Sequence, residues 1–331
     1  MPFPVIAVHG GCGTPDRSAL PSAVWEELHH DLAQALRSGW AVLQAGGSAL
    51  DAVQSAVVVL EDSPHFNAGC GSAFTSAATH ELDASIMEGR NGRAGAVCTV
   101  RRIRNPVLAA REVMDRSQCV LLSGEEADRF AASCGLAMVD NSYFTTARRS
   151  EALARIKAHR HSEASGRADR RFDQPGKLMP GQRPSEADRH GTVGAVALDS
   201  AGHLAAATST GGYNNKPCGR VGDSPLIGAG TFARDGVCAV SCTGVGEYFI
   251  RQVAAHDICA RMQYLGESLA QACDRLVHHV MPYPEAGAGI IGVDAAGSVH
   301  AAFNTDGMAR GWITRGEGMQ IGTHAAMFAV D

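Results

Sequence analysis

Thr192 is the residue whose type and setting carry the most chemistry. It opens a β-compatible run (Thr192–Leu198, TVGAVAL), follows Gly191, and lies just past a polar, arginine-rich stretch. Threonine is β-branched and common at strand starts, so its hydroxyl alone says little. Cleavage of the Gly191–Thr192 bond would change that, because the new terminal α-amine would stand beside the hydroxyl and make nucleophile and base one residue. An α-amino pKa of about 7.7–8.0 is close enough to neutrality for the amine to take the hydroxyl proton. Gly191, with no Cβ, tolerates the strained backbone that an N→O acyl shift requires.

Other chemistries lack their signatures. Gly287-Ala288-Gly289-Ile290-Ile291-Gly292 fits G-x-G-x-x-G in letters. It enters a strand instead of opening a helix, so it is no dinucleotide fingerprint. There is neither a G-x-x-x-x-G-K-[ST] phosphate loop nor a G-x-S-x-G nucleophile elbow. The ten cysteines include no C-x-x-C pair, which reads as small buried hydrophobes, not disulfides. The 14 histidines form no H-E-x-x-H and no cluster with cysteine, so a transition-metal site has no support.

The elements that must position Thr192 follow from patterning. Val5–Val8 reads as a buried strand stopped by His9-Gly10-Gly11. Helices are predicted over Ser22–Leu43, ended by Gly46-Gly47, and from Ser48 to before Pro64, with Ser48 and Asp51 as a capping pair. Strands are expected at Ala94–Val100 and Cys119–Leu122, a helix from Pro106 between them, and another at Glu125–Ser133. Thr192–Leu198 and Leu204–Thr210 make a hairpin around Asp199–Gly202. Cys238–Thr243 is a strand leading into a helix over Gly246–Met262; a further helix covers Ser268–Val280, and Ile290–Val293 with Val299–Phe303 form a last hairpin. Alternating strand-rich and helical blocks suggest sheets covered by helices on both outer sides.

Between these halves, from Arg148 to Arg189, apolar residues almost vanish. Arg148–His190 holds 11 basic and 6 acidic residues, a local +5. Such a stretch buries too little surface to offset its ordering entropy, and a mobile linker is expected over about 159–191. Without interleaved aromatics its charge reads as solvation, not as a nucleic-acid arm.

The whole chain bounds the function classes. Its 331 residues allow about two domains or one large unit. A balance of 29 basic against 34 acidic residues, net −5, gives no whole-chain signature for nucleic acid or anionic membrane. With 45% hydrophobic residues and 38 glycines the chain reads as globular and rich in tight turns. No apolar run reaches the length of a membrane span and the N-terminus lacks a signal-peptide pattern, so a cytoplasmic protein is expected.

Several strings together resemble the plant-type L-asparaginase/isoaspartyl peptidase family of N-terminal nucleophile hydrolases. They are His9-Gly10-Gly11, Phe66-Asn67-Ala68-Gly69-Cys70-Gly71, Glu81–Met87, His190–Ala197, Ala207-Thr208-Ser209-Thr210-Gly211-Gly212 and Gly219–Pro225. The resemblance spans nearly the whole chain except the linker. It implies an α+β fold, a four-layer αββα sandwich, built as one domain from an α part (1–191) and a β part (192–331) made by self-cleavage between Gly191 and Thr192.

The resemblance also implies roles. Thr192 corresponds to the nucleophile, Thr210 to a threonine that contacts and tunes it, and Thr208 to a helper. Arg220 corresponds to a clamp on the substrate α-carboxylate, a task suited to a planar fork, and Asp223 to the group that holds the α-ammonium. Thr243 and Gly244 correspond to the oxyanion site, between a strand and a helix start where N–H groups can face developing negative charge. Asn67 corresponds to a residue near the nucleophile. Backbone carbonyls of Leu60, Glu61, Ser63, Phe66, Ala68 and Cys70 correspond to a sodium-binding loop. The implied activity is hydrolysis of L-asparagine or β-aspartyl dipeptides by a dimer of αβ units, without organic cofactor, nucleic acid or membrane. A glycosylasparaginase and an uncleaved binding protein are the alternatives. Cys12, the arginine-rich linker and Gly307–Trp312 are less typical of the family and bear on substrate preference.

Overall fold

The strand that leads away from Thr192 is apolar on both faces, and the two faces meet different partners. The computed structural model describes residues 3–14, 16–164, 191–282 and 285–330. In the first half, β1 (Val5–Gly11) is followed by α1 (Ser22–Gln44) and α2 (Ala49–Asp62), then β2 (Leu82–Glu88) and β3 (Ala94–Val100). Next come α3 (Pro106–Arg116), β4 (Leu121–Ser123), α4 (Gly124–Ser133) and α5 (Ala147–Ala164). The second half holds β5 (Val193–Leu198), β6 (Leu204–Thr210), β7 (Thr231–Arg234), β8 (Cys238–Gly244), α6 (Gly246–Gln252), α7 (Ala254–Ala260) and α8 (Leu269–Arg275). It closes with β9 (Ala288–Asp294), β10 (Val299–Phe303), β11 (Ala309–Thr314), β12 (Gly318–Gly322) and β13 (Phe328–Val330).

Nine strands form one sheet in the order β13-β12-β11-β1-β5-β6-β2-β3-β4, and four form a second, β10-β9-β8-β7. In β5, Val193, Ala195 and Ala197 join a core with α1, α2 and α3, while Val196 and Leu198 join another with β8, β9, α7 and α8. This division is the period-2 alternation of a strand buried on both sides. The result is a mixed α+β fold. Among the described residues no helix is long and apolar enough to cross a membrane.

Most predicted elements form. Ser48 caps α2 by accepting from the Asp51 amide, and the glycine-rich Gly287–Gly292 runs into β9 as expected. Four expectations need correction. Helix α5 runs through the start of the expected linker, because Ala, Leu, Arg and Glu favour helix, Ala152 and Leu153 are buried, and Arg149 Nε donates to the Gly71 carbonyl at 2.8 Å. The remainder of that linker, 165–190, lies outside the described residues. The helix expected over Gly246–Met262 breaks at Val253, which has φ +49°. The jog lets the Ala255 and His256 amides bond the Ala229 and Gly228 carbonyls.

The third correction concerns Ser268–Val280. It begins with the Ser268/Gln271 capping box but changes to a π-helical turn at Leu276–Val280. Last, the strand expected at Cys119–Leu122 is shorter and shifted, pairing in parallel with β3. Patterning also left β2, β7 and β11–β13 unassigned. Strands such as β2 are buried on nearly every side chain and lack the alternation that marks a half-exposed strand.

Candidate active site

The antiparallel register of β5 and β6 sets Val193 opposite Ser209, which makes Thr192 and Thr210 the next facing pair. Their side chains meet: Thr192 Oγ1 donates to Thr210 Oγ1 at 3.1 Å, and Thr192 is only 7% exposed. Thr210 Oγ1 also accepts from the Gly212 amide at 3.0 Å, which fixes its orientation. Both contacts are donations to the Thr210 oxygen, so its own proton is directed elsewhere.

The bond before Thr192 is gripped as closely. The Asn67 amide donates to the Gly191 carbonyl at 3.2 Å, and the Asn67 carbonyl accepts from Gly211 at 3.0 Å. The Asn67 side chain accepts from the Ala73 amide at 2.6 Å and donates to the Gly212 carbonyl. One asparagine therefore ties the residue before Thr192 to the turn after Thr210. Two glycines make this fit possible. A Cβ on Gly191 would lie 2.6 Å from Asn67 Cβ, and a Cβ on Gly11, at φ +104°, would lie 2.6 Å from Gly191 Cα.

Gly11 leads into Cys12, whose Sγ donates to the Thr243 carbonyl and whose amide donates to Thr243 Oγ1, both at 3.4 Å. Thr243 and Gly244 thus share one end of the sheets with Thr192. Gly244 has φ +148°, and a Cβ there would lie 2.3 Å from the Gly287 carbonyl oxygen, so no other residue fits. Behind Thr192, the buried His9 Nε2 meets Ser241 Oγ at 2.8 Å, and Ser241 Oγ meets Thr208 Oγ1 at 2.7 Å. Burial pulls His9 from 6.5 to about 3, opposed by the Thr192 backbone, so the ring is neutral. Thr208, on the same face of β6 as Thr210, bonds this inter-sheet network and the Gly230 carbonyl, and its hydroxyl makes no contact with that of Thr192.

Arg220 and Asp223 lie in the segment between β6 and β7. Arg220 stacks 4.8 Å over the Tyr213 ring and pairs in bidentate fashion with Glu247. Asp223 is buried and its Oδ2 has no hydrogen-bond partner. Burial raises it from 3.8 to about 7, with Arg220 opposing. Beneath them Lys216, fully buried, donates to the Glu81 carbonyl at 2.8 Å and is held in the field of buried Asp83.

The chain from Leu60 to Cys70 closes around Gly69 (φ +48°) and Gly71 (φ +91°). Cys70 donates to the Glu61 carbonyl at 2.7 Å, and a Cβ on Gly71 would lie 2.7 Å from both the Pro64 and Phe66 carbonyl oxygens. The Glu61 side chain turns the other way, accepting from Ser209 at 2.6 Å and Val107 at 3.0 Å. Among the described residues no group of three His, Cys, Asp or Glu side chains is placed to hold a metal.

Sequence reasoning missed His9's ring, Ser241, Arg149, Lys216 and Glu247. His9 was visible only as part of a turn, and Arg149 only as linker charge. Glu247, three residues past Gly244, had no sequence signal tying it to Arg220.

The geometry can be set beside known proteins. The family described as Asparaginase matches residues 2–323. An isoaspartyl peptidase of Salmonella typhimurium is 47% identical over 308 residues, covering 93% of this chain and 94% of that protein. One from Escherichia coli is 47% identical over 310 residues, covering 93% and 92%. A human protein named isoaspartyl peptidase/L-asparaginase is 36% identical over 308 residues, covering 92% and 91%. With a match over nearly its full length, and with Thr192, Thr210, Asn67 and Thr243 gathered at one end of two sheets, this chain belongs to the Asparaginase_2 family.

Proposed function

We propose that this protein is a self-activated hydrolase that splits L-asparagine and β-aspartyl dipeptides, with Thr192 as nucleophile. The observation that carries the reading is the Thr192–Thr210 hydroxyl contact beside a Gly191 carbonyl held by the Asn67 amide. The names of the relatives supply the substrate class.

Activation begins when Thr192 Oγ adds to the Gly191 carbonyl carbon. The Asn67 amide is already aimed at the oxygen that gains negative charge. Collapse moves the acyl group from nitrogen to oxygen and so frees the Thr192 amine, and water then cleaves the ester, releasing the Gly191 carboxylate and restoring the Thr192 hydroxyl. In turnover that amine takes the hydroxyl proton as Oγ attacks the substrate side-chain carbonyl, then gives it to the departing ammonia or amine. Thr243 and Gly244 stabilise the oxyanion, and water releases aspartate from the acyl-enzyme. Arg220 holds the α-carboxylate and Asp223 the α-ammonium, which supplies the partner that Asp223 Oδ2 lacks.

Four further parts belong to the same reading. The two packed sheets with helices on their outer faces form a four-layer αββα sandwich, divided after Gly191 into α and β parts. Backbone carbonyls suit a hard cation, and sodium held by those of Leu60, Glu61, Ser63, Phe66, Ala68 and Cys70 would brace the loop that carries Asn67. No organic cofactor takes part. The working unit is a cytoplasmic dimer of αβ pairs.

The test is the intact mass of wild type and Thr192→Ala under denaturing conditions after prolonged incubation, with ammonia release from L-asparagine. Two fragments meeting at Gly191/Thr192, an uncut variant and ammonia from wild type only are expected. A wild type that stays whole and releases no ammonia overturns the reading in favour of an uncleaved binding protein.

A further inference from the structure

Arg220 has a planar fork with two hydrogen-bonding edges, and the structure shows one already taken. Nε donates to one Glu247 oxygen and Nη2 to the other, each at 3.0 Å. The Arg220 side chain is 13% exposed and that of Glu247 43%. Against the other edge the backbone closes in at glycines, where any side chain would meet the guanidinium. A Cβ on Gly222 would lie 2.8 Å from Nη1, and one on Gly212 3.4 Å from it. A Cβ on Gly246 would lie 3.0 Å from Nη2 and 2.8 Å from Asp223 Oδ1. The same glycine backbone therefore lies against both the Nη1/Nη2 edge of Arg220 and the carboxylate of Asp223, so the absence of side chains there leaves these groups uncovered to one another.

We infer that Glu247 determines head-group specificity, acting through Arg220, so that the site takes a zwitterionic α-amino acid head and rejects a bare carboxylate. The inference rests on the proposed roles of Arg220 and Asp223. Two consequences of the Glu247 contact carry it. The bidentate pair and the Tyr213 stack fix the guanidinium plane, so a ligand carboxylate meets the Nη1/Nη2 edge and its neighbouring ammonium reaches Asp223. The pair also cancels the charge of Arg220, so an anion gains little from entering unless it brings an ammonium for Asp223.

The test compares processed wild type, Glu247→Gln and Glu247→Asp, using L-aspartate and succinate as inhibitors of ammonia release from L-asparagine. The two ligands share both carboxylates and differ in the ammonium. Wild type should bind L-aspartate far better than succinate. In Glu247→Gln the uncancelled Arg220 charge should shrink the ratio of the two inhibition constants by roughly tenfold or more, mainly by tighter succinate binding. Glu247→Asp keeps the charge and should return the ratio toward wild type, which loss of a merely structural contact would not do. An unchanged ratio in Glu247→Gln, or equal shifts in both variants, overturns the inference while leaving the hydrolase intact. A wild type that neither processes nor hydrolyses asparagine overturns the hydrolase reading, and this one with it.

Discussion

Thr192 and Thr210 face each other across adjacent antiparallel strands, hydroxyl to hydroxyl at 3.1 Å. Thr210 is itself held by the Gly212 amide, so the pair is oriented before any ligand arrives. Thr210→Ala should therefore leave the fold in place and slow both self-cleavage and turnover by on the order of 10²-fold, the lower range for a positioned proton-handling group. Thr210→Ser should restore most of the rate. Timed appearance of the two fragments checks this, and equal rates for Ala and Ser would disprove it.

Buried His9 predicts a particular acid sensitivity. Its folded-state value of about 3 lies below the unfolded 6.5, so between these pH values the unfolded chain binds a proton that the folded chain refuses. Stability from His9 is present above pH 6.5 and is lost as pH falls toward 3, by about 5 kcal/mol in all. Urea unfolding of Thr192→Ala, which stays one chain, should be compared with Thr192→Ala/His9→Gln from pH 7 to 4. The double variant should show the shallower decline; parallel curves would refute the assignment.

Asp223 predicts a pH dependence of binding from the same cause, burial, which moves a carboxyl in the opposite direction. Burial raises it to about 7, and only its ionised form accepts an ammonium. Affinity for L-aspartate should weaken by about tenfold per pH unit below pH 7 and level off above it. Asp223→Asn should bind weakly at every pH. Inhibition constants measured from pH 5.5 to 8.5 decide the matter, and a flat wild-type profile would exclude this role.

Lys216 and Asp83 are both buried in the structure that supports Arg220. Lys216→Met would leave Asp83, whose Oδ2 already lacks a partner, without the opposing charge that acts on it most strongly. The expected loss is about 1–3 kcal/mol, the usual cost of leaving a buried acceptor, here the Glu81 carbonyl, without its donor, with the lost field on Asp83 adding to it. Lys216→Met/Asp83→Asn should recover part of it. Thermal unfolding of the three proteins checks the order; a double variant less stable than Lys216→Met would contradict it.

Local physics made much of this molecule legible in its residues. The Thr192–Leu198 and Leu204–Thr210 hairpin, the Ser48-capped helix and the strand made from Gly287–Gly292 follow from periodicity, turn residues and caps that act within a few positions. Thr192 stood out because a threonine after a glycine is a complete catalytic unit once cut, whatever surrounds it. Family-like strings then pointed to Arg220, Asp223, Asn67, Thr243 and Gly244. What tertiary structure alone decided are the meetings between distant segments. Gly11 abuts Gly191, Cys12 bonds Thr243 across 231 positions, and His9 bonds Ser241 across 232. Arg149 turned from one charge in an apolar-poor stretch into an anchor on Gly71, and Glu247 became the partner of Arg220. Propensity and patterning describe each segment's own preference, whereas these contacts depend on sheet register and on missing Cβ atoms at the points of closest approach.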